Sequence, residues 1–527
     1  MSKIQRSGKV DVLVIGSGAA GSVFAAKAAK AGKRVLILEA GPERDLNSLT
    51  SSQIWARKLK WSGSFVEERG NHKVGNVFNS GYGTGGSAIH HYGVWPRLHE
   101  NDFNTKSLYG VGSNWPIDYP ELQQYYDQIQ DEVGISGDHK QEKWRPKGNP
   151  YPMPPLPVLR QGRAIAKGFS AQGLHTAPIP MAVRSTPTTD RQACLLDGWC
   201  DAGCPNGALA NPLVTYLAEA KNHGSEIIHQ ATVSKILCND KGNKVIGVEY
   251  IDALGQLKVQ HADSVILAAF AVQSPRLLLL SSNKHHPNGL GNNHDLVGRY
   301  FMTHPTHSIW GLFPEETMPH MGLNGGQLIN QDNYDNKHHK NNSYGSYQWL
   351  IGNAVKPNDL LGIANSRPDI FGKKLKPFLN HATKHIGNMV GICDDIPQAE
   401  NRVTLSSNKD KHGLPLAEVT HNIHSRTETL TQQMIQEGLS VFKSAGVKEP
   451  WAGPRAGMHL MGGTKMGDAP ENSVTNQFGQ VHGVDNLFIA GPGLFPTSGA
   501  VNPTYTVHAL SLMAVEHMLK HWESIVA

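Results

Sequence analysis

From Val10 to Ile15 the chain is apolar without a break, short and β-branched, the pattern of a strand buried on both faces of a parallel sheet. Ala19 to Ala31 follows, alanine-rich with Gly21 as its one internal glycine, which predicts a helix packed closely on that sheet. Gly32 stops the helix, and Arg34 to Glu39 reads as a second strand. The pattern recurs at Ser264 to Ala271, with a turn at Ser274-Pro275 and a helix over Leu277 to Leu280. It recurs again at Asn486 to Ala490, followed by a glycine-rich turn and a helix near Tyr505 to His521. Units of this kind at the start, middle and end predict one nucleotide-binding domain, discontinuous in sequence, with the intervening stretches forming a second domain. Asn330 to Ser346 shows no periodicity and reads as an exposed loop, so a solvated loop is the simpler account of its His338 and His339 than a metal site.

Between the first strand and helix stands Gly16-Ser-Gly18-Ala19-Ala20-Gly21. Gly16 permits the tight turn, Gly18 lets backbone approach a pyrophosphate, and Gly21 lets helix and strand touch. The helix N-terminus then turns unpaired N–H groups toward the phosphates. Glu39 lies 18 residues beyond Gly21, where a carboxylate takes ribose hydroxyls and repels a 2′-phosphate. This fingerprint predicts dinucleotide binding and by itself does not separate FAD from NAD.

Composition narrows the picture from outside. The 527 residues suffice for two or three domains with a large core. Net charge is +5, and Lys and Arg are scattered rather than run together, which argues against nucleic-acid binding. No apolar run reaches the roughly 20 residues that span a bilayer. The basic, then apolar N-terminus imitates a secretory signal, but Val10 to Ile15 is needed as a strand and no small-residue cleavage site follows, so no targeting peptide is expected. Five cysteines, an odd number in a long chain, argue against a disulfide framework. Three of them, Cys194, Cys200 and Cys204, fall within eleven residues, with glycines between and Pro205 after. That spacing suits thiolates wrapped round an iron–sulfur cluster; zinc, and plain buried cysteines in a chance cluster, are the rival readings. Cys238, on a predicted strand, and Cys393 are expected to be packing residues.

Further motifs follow in order: Gly85 to Arg97 (GGSAIHHYGVWPR), Asp102-Phe103, Trp115-Pro116, Tyr119 to Tyr126, Ala268 to Ser281, Leu296 to Pro305, His459 to Gly467 (HLMGGTKMG) and Asn486 to Thr506. Together they resemble the characteristic blocks of the glucose–methanol–choline oxidoreductases over nearly the whole chain. The cysteine loop is similar to that of the large catalytic subunits of bacterial fructose, gluconate and glucose dehydrogenases. The resemblance implies an α/β fold: a Rossmann-like FAD-binding domain from 8–100, 222–305 and 455–527, and a second α+β substrate-binding domain built on an antiparallel sheet from 101–221 and 306–454. It implies FAD contacts at Gly16, Gly18, Ala19, Ala20, Gly21, Glu39, Gly85, Gly86, Ser87, His90, Val233, Ser274, Gly491, Pro503 and Thr504. His90 stands where related enzymes join a histidine covalently to the flavin. His91 beside it, and a non-covalent lining role, remain alternatives.

For chemistry, the resemblance implies His459 as the base that takes a hydroxyl proton while hydride leaves the carbon for the flavin, with Asn502 as its partner; a histidine base suits neutral pH. Cys194, Cys200 and Cys204 would hold a [3Fe-4S] cluster; where family members often have adjacent cysteines, Leu195 follows Cys194, leaving no spare fourth thiol. The implied function is oxidation of a secondary or hemiacetal hydroxyl of a sugar, sugar acid, polyol or glycoside, with electrons passing through the cluster to a cytochrome c acceptor. A small helper subunit would export the chain to the periplasm; without such a partner the expected site is the cytoplasm. An oxygen-using flavin oxidase and a non-catalytic flavin-binding subunit are the rival functions.

Overall fold

The first apolar run is a strand, Val10–Ile15, at the centre of a seven-stranded sheet in the computed structural model, which describes residues 8–75, 80–334 and 343–527. Val35–Leu38 lies parallel on one side of it and Leu257–Leu267 on the other, with Leu13 opposite both Leu36 and Val265. Glu226–Ile228 extends the sheet beyond Val35–Leu38, and Leu487–Ile489 extends it beyond Leu257–Leu267, both parallel. Five strands from the start, middle and end of the chain thus supply one parallel sheet. The outer half of Leu257–Leu267 continues into an antiparallel pair with Val245–Ile251, which in turn pairs with Thr232–Cys238.

The helix Ala19–Lys30 packs on this sheet and against the helix Thr504–Lys520. Small side chains make the approach close. A Cβ on Gly21 would stand 2.1 Å from the Gly16 carbonyl oxygen and 3.1 Å from Val14, so only glycine fits there.

A second, seven-stranded antiparallel sheet runs Trp451–Ala452, Met302–Leu312, Ile386–Cys393, Tyr347–Ile351, Leu328–Asn330, Ala177–Pro178, with Ala456–Met461 also pairing with Met302–Leu312. The amphipathic helix Ser425–Ser444 buries Leu430, Met434, Val441 and Phe442 in a core shared with Trp349 and Cys393 of this sheet. A smaller sheet joins Arg402–Lys409, Pro415–Thr420 and Glu67–Arg69. A Rossmann-type layer therefore faces an antiparallel layer, as the motifs implied.

Two local expectations are corrected. Ser274-Pro275 is not a turn before a helix: one helix, Phe270–Leu280, runs through it with Pro275 inside. Proline removes one helical hydrogen bond, but Ala271 and Val272 are buried in one apolar cluster and Leu277 and Leu278 in another, and that packing outweighs the loss. The stretch read as an exposed loop is buried at both ends, where Asn330 and Tyr347 belong to strands and Gln331, Tyr334, Tyr344 and Ser346 are buried. Its polar groups find internal partners, as Tyr334 Oη does by donating to Asp102 Oδ2 at 2.8 Å. His338 and His339 lie outside the described residues. All five cysteines are free, and Cys393 is fully buried beside Met434. No helix among the described residues is long and apolar enough to cross a membrane.

Candidate active site

A cavity of about 840 Å³ opens where the parallel strands end, the usual ligand position in such sheets. Gly16, Gly18, Ala19 and Ala20 form its floor, with Gly16 at φ +102°. No side chain caps the helix that begins at Ala19, so its first N–H groups stay open to an anion. A Cβ on Gly18 would meet nothing nearer than 3.9 Å, whereas one on Gly86 would press within 3.3 Å of the Gly18 Cα. The two glycine turns therefore touch through backbone and leave the Gly18 side clear for a pyrophosphate. Glu39, on the same wall, accepts from Ser17 N (3.1 Å), Ser17 Oγ (2.6 Å), Gly41 N (2.9 Å) and Gly83 N (3.0 Å). The carboxylate thus also ties the glycine turn to the strand end, a role that spacing did not reveal. These features fit the FAD that the motifs imply.

Gly86, Ser87, His90, Val233, Gly491, Pro503 and Thr504 line the cavity as well. Gly21, Gly85 and Ser274 do not. Gly21 sits in the helix–strand contact, Gly85 (φ +86°) donates its N–H to Ser17 Oγ at 3.0 Å, and Ser274 is buried within its helix.

The structure separates the two adjacent histidines. His91 Nε2 donates to the Ala210 carbonyl at 3.2 Å, and its Nδ1 accepts from Gly93 N at 3.2 Å, so both nitrogens are committed. His90 is buried, and its Nε2 has no hydrogen-bond partner among the described residues. Burial, helped by the charge of Lys60, lowers the His90 pKa to about 3, which keeps the ring neutral near pH 7.

His459 and Asn502 reach the same cavity from distant segments. His459 lies on Ala456–Met461, where the register against Met302–Leu312 shifts between Met458 and Met461. Its φ of +59° is a left-handed conformation that a non-glycine residue seldom adopts, and the irregularity re-aims its ring. Asn502 precedes Pro503, which begins the uncapped helix Thr504–Lys520. Its Nδ2 stands 3.4 Å from His459 Nε2. Burial, and secondarily His304, holds the His459 pKa well below the ordinary histidine range, so the imidazole is neutral near pH 7. A neutral nitrogen beside an amide N–H is able to take a hydroxyl proton while the oxygen is held.

The cysteine loop packs near the His90 turn. A Cβ on Gly203 would lie 3.1 Å from Ile89, and Asn211 Nδ2 donates to the Gly203 carbonyl at 3.2 Å. Cys200 is buried in an apolar cluster against which Cys194 and Cys204 pack. Backbone N–H groups point at two of the sulfurs, Leu196 to Cys194 at 3.4 Å and Leu209 to Cys204 at 3.3 Å. Burial raises the Cys194 pKa to about 11 and that of Cys200 well above the usual thiol value, with Cys204 adding to both. Among the described residues no group of three or more His, Cys, Asp or Glu is gathered tightly enough to hold a single metal ion.

The chain is similar to known proteins over nearly its whole length. The GMC oxidoreductase family profiles match residues 10–306 and 397–511. The chain is 29% identical to the fructose dehydrogenase large subunit of Gluconobacter japonicus, over 97% of each chain. It is 30% identical to 2-methyl-1,2-propanediol dehydrogenase of Mycolicibacterium austroafricanum, covering 98% of this chain and 96% of that one. It is 27% identical to the gluconate 2-dehydrogenase flavoprotein of Pantoea cypripedii, over 95% and 92%. Among solved structures, formate oxidase of Aspergillus oryzae superposes with a TM-score of 0.69 at 15% identity, covering 99% of this chain and all of that one. The chain belongs to the GMC oxidoreductase family and is an FAD-dependent oxidoreductase acting on CH–OH donors.

Proposed function

We propose that the chain is a dehydrogenase for a secondary or hemiacetal hydroxyl of a sugar, sugar acid, polyol or glycoside, with His459 as base. His459 Nε2 receives the hydroxyl proton, and Asn502 Nδ2 donates to the substrate oxygen as negative charge grows there. Bound FAD supplies the two-electron acceptor for the hydride that leaves the carbinol carbon. The lining of the same cavity includes Asn324, Asn353, Asn358 and Asn388, amides that suit a substrate with several hydroxyl groups.

Cys194, Cys200 and Cys204 would hold a [3Fe-4S] cluster, which supplies one-electron transfer toward a cytochrome-type acceptor. A multi-iron cluster keeps its thiolates farther apart than a single ion does, and the N–H groups of Leu196 and Leu209 suit sulfurs that carry negative charge. The observation that carries the reading is that the turn bearing Cys200 reaches the cavity of the His459–Asn502 pair. Asp201, the neighbour of Cys200, lines the same space as His459 and Asn502. A small helper subunit, a haem partner and a periplasmic site complete the proposal; one relative is named as a large subunit, which suits a chain with partners.

The test is anaerobic bleaching of the bound flavin across D-fructose, D-gluconate and 2-methyl-1,2-propanediol, together with iron and acid-labile sulfide analysis. Bleaching by D-fructose or D-gluconate with stoichiometric iron and sulfide supports the proposal, whereas bleaching by 2-methyl-1,2-propanediol alone, which has only a primary and a tertiary hydroxyl, would assign a primary alcohol instead. Bleaching without iron, and rapid turnover with oxygen, would identify an oxidase instead.

A further inference from the structure

Six hydrogen bonds, several residues deep, run through the His459–Asn502 pair in one direction. His304 is fully buried on Met302–Leu312, with its Nε2 3.4 Å from the Ser498 carbonyl oxygen. A carbonyl oxygen only accepts, so His304 Nε2 carries a proton. Burial holds the His304 pKa at about 4, which leaves its Nδ1 with a lone pair at neutral pH. That Nδ1 lies 3.0 Å from His459 Nδ1, which must then be the donor. A neutral His459 with its proton on Nδ1 presents a bare Nε2 to Asn502.

The other side of the pair has the same sense. Asn502 Oδ1 accepts from Gln348 Nε2 at 3.1 Å, Gln348 Oε1 accepts from Gln331 Nε2 at 2.9 Å, and Gln331 Oε1 lies 3.3 Å from His99 Nε2. Gln348 and Gln331 are buried, so turning one amide over would set oxygen against oxygen without water to relieve it. The amides are therefore correlated, and the Ser498 carbonyl anchors the polarity of the whole chain. Every link donates from the His99 side toward Ser498.

From this we infer that His304 and Gln348 are positioning residues that preset the site for an alcohol, an inference that rests on reading His459 as the base. His304 fixes the His459 proton on Nδ1. Gln348 turns the Asn502 amide so that its N–H, not its oxygen, faces the substrate. The link between Asn502 Nδ2 and His459 Nε2, 3.4 Å long, is the one that opens to the cavity. A hydroxyl inserted there accepts from Asn502 and donates to His459, so it continues the chain in the same direction. Networks of this kind strengthen when every member is satisfied. An ether or a carbonyl oxygen accepts but has no proton to pass on, so the polarity selects a free hydroxyl.

The test uses FAD-loaded protein and whichever of D-fructose, D-gluconate or 2-methyl-1,2-propanediol bleaches the flavin fastest. His304→Leu and Gln348→Met should each slow bleaching roughly 10- to 100-fold, with apparent substrate affinity changed by less than about threefold. His304→Gln, which keeps an acceptor and a donor, should restore most of the rate. Because each residue acts through another, His304→Leu should add less than about twofold to His459→Ala, and Gln348→Met likewise to Asn502→Ala. Histidine ring ¹⁵N spectra of the wild type, with the His459 signal identified by its loss in His459→Gln, should show the proton on Nδ1. Wild-type rates in His304→Leu and Gln348→Met, full additivity in both cycles, or a His459 proton on Nε2 would overturn the inference. The spectra decide the matter if His304→Leu fails to fold. Fast bleaching in His459→Ala itself would instead mean that the base is another residue, a separate failure.

Discussion

Lys60 Nζ lies 2.6 Å from Asp201 Oδ2, with both side chains mostly shielded from water. Burial works against the lysine charge, but Tyr92 and Asp201 outweigh it and raise the Lys60 pKa. The pair bridges the helix Gln53–Lys60 to the turn that carries Cys200, and both residues line the cavity. The cysteine loop is thereby held against the cofactor site by charge as well as by packing, which suits a relay needing a fixed distance.

Cys200→Ser should abolish reduction of an added cytochrome c while leaving flavin bleaching by substrate nearly unchanged, and it should release iron. Stopped-flow absorbance with an iron assay reads all three. Wild-type cytochrome reduction in that variant would remove the relay from the proposal.

His459→Ala should cut turnover by roughly 10² or more, the usual contribution of a positioned base, with FAD still bound. Asn502→Ala should cost less, since it removes a donor to the oxygen and leaves the proton acceptor in place. Turnover and flavin absorbance on the same samples check both expectations.

His90→Ala should loosen FAD, because His90 lines the cavity and its Nε2 has no hydrogen-bond partner among the described residues. His91→Ala should leave FAD affinity less changed and instead destabilise the fold by about 1–3 kcal/mol, the usual effect of unpairing buried polar groups. Flavin titration and denaturant unfolding distinguish the two.

Gly18 and Gly21 should respond differently to alanine. A Cβ at Gly18 finds 3.9 Å of clearance within the protein, so Gly18→Ala should fold normally and bind FAD more weakly. A Cβ at Gly21 collides with the Gly16 carbonyl, so Gly21→Ala should lower the melting temperature, by about 1–3 kcal/mol of overpacking or more. Equal thermal stability of the two variants would contradict the helix–strand contact described above.

Acid should destabilise the protein through its buried histidines. Burial lowers the pKa of His72, His91, His304 and His508 to about 4 and of His90 to about 3, from an ordinary 6.5. The unfolded chain binds these protons first, so the stability they contribute is complete above pH 6.5 and lost as pH falls toward 4 and below. Melting temperatures in a pH series should decline across that window. A flat profile there would show that these rings are not held neutral.

The glycine fingerprint, Glu39 and the strand–helix alternation were legible in the sequence because each depends on residues close along the chain. The periods and turn residues are set by local backbone sterics, which any tertiary setting must respect. Family motifs carried the reading further, to His459 and Asn502. Where local rules compete with packing, the sequence misled: Pro275 sits inside a helix because apolar clusters hold both halves of it. The polar stretch at Asn330 to Ser346 is buried at its ends because Tyr334 and Gln331 find partners far away in sequence.

What only the tertiary structure decided is how distant polar atoms meet. Gln348 and Asn502 are 154 residues apart, and His304 and His459 are 155 apart. No local pattern announces such pairs, since a buried glutamine or histidine has the same spelling as an exposed one. Likewise, nothing in His90-His91 says which ring keeps a free nitrogen until Ala210 and Gly93 occupy the other. The sequence determined the strands and the glycine turn through short-range geometry, and its motifs pointed to His459 and Asn502. Folding determined their polarity and proton positions, because hydrogen bonds in a water-excluded core are set by whichever acceptor the fold brings within 3 to 3.4 Å.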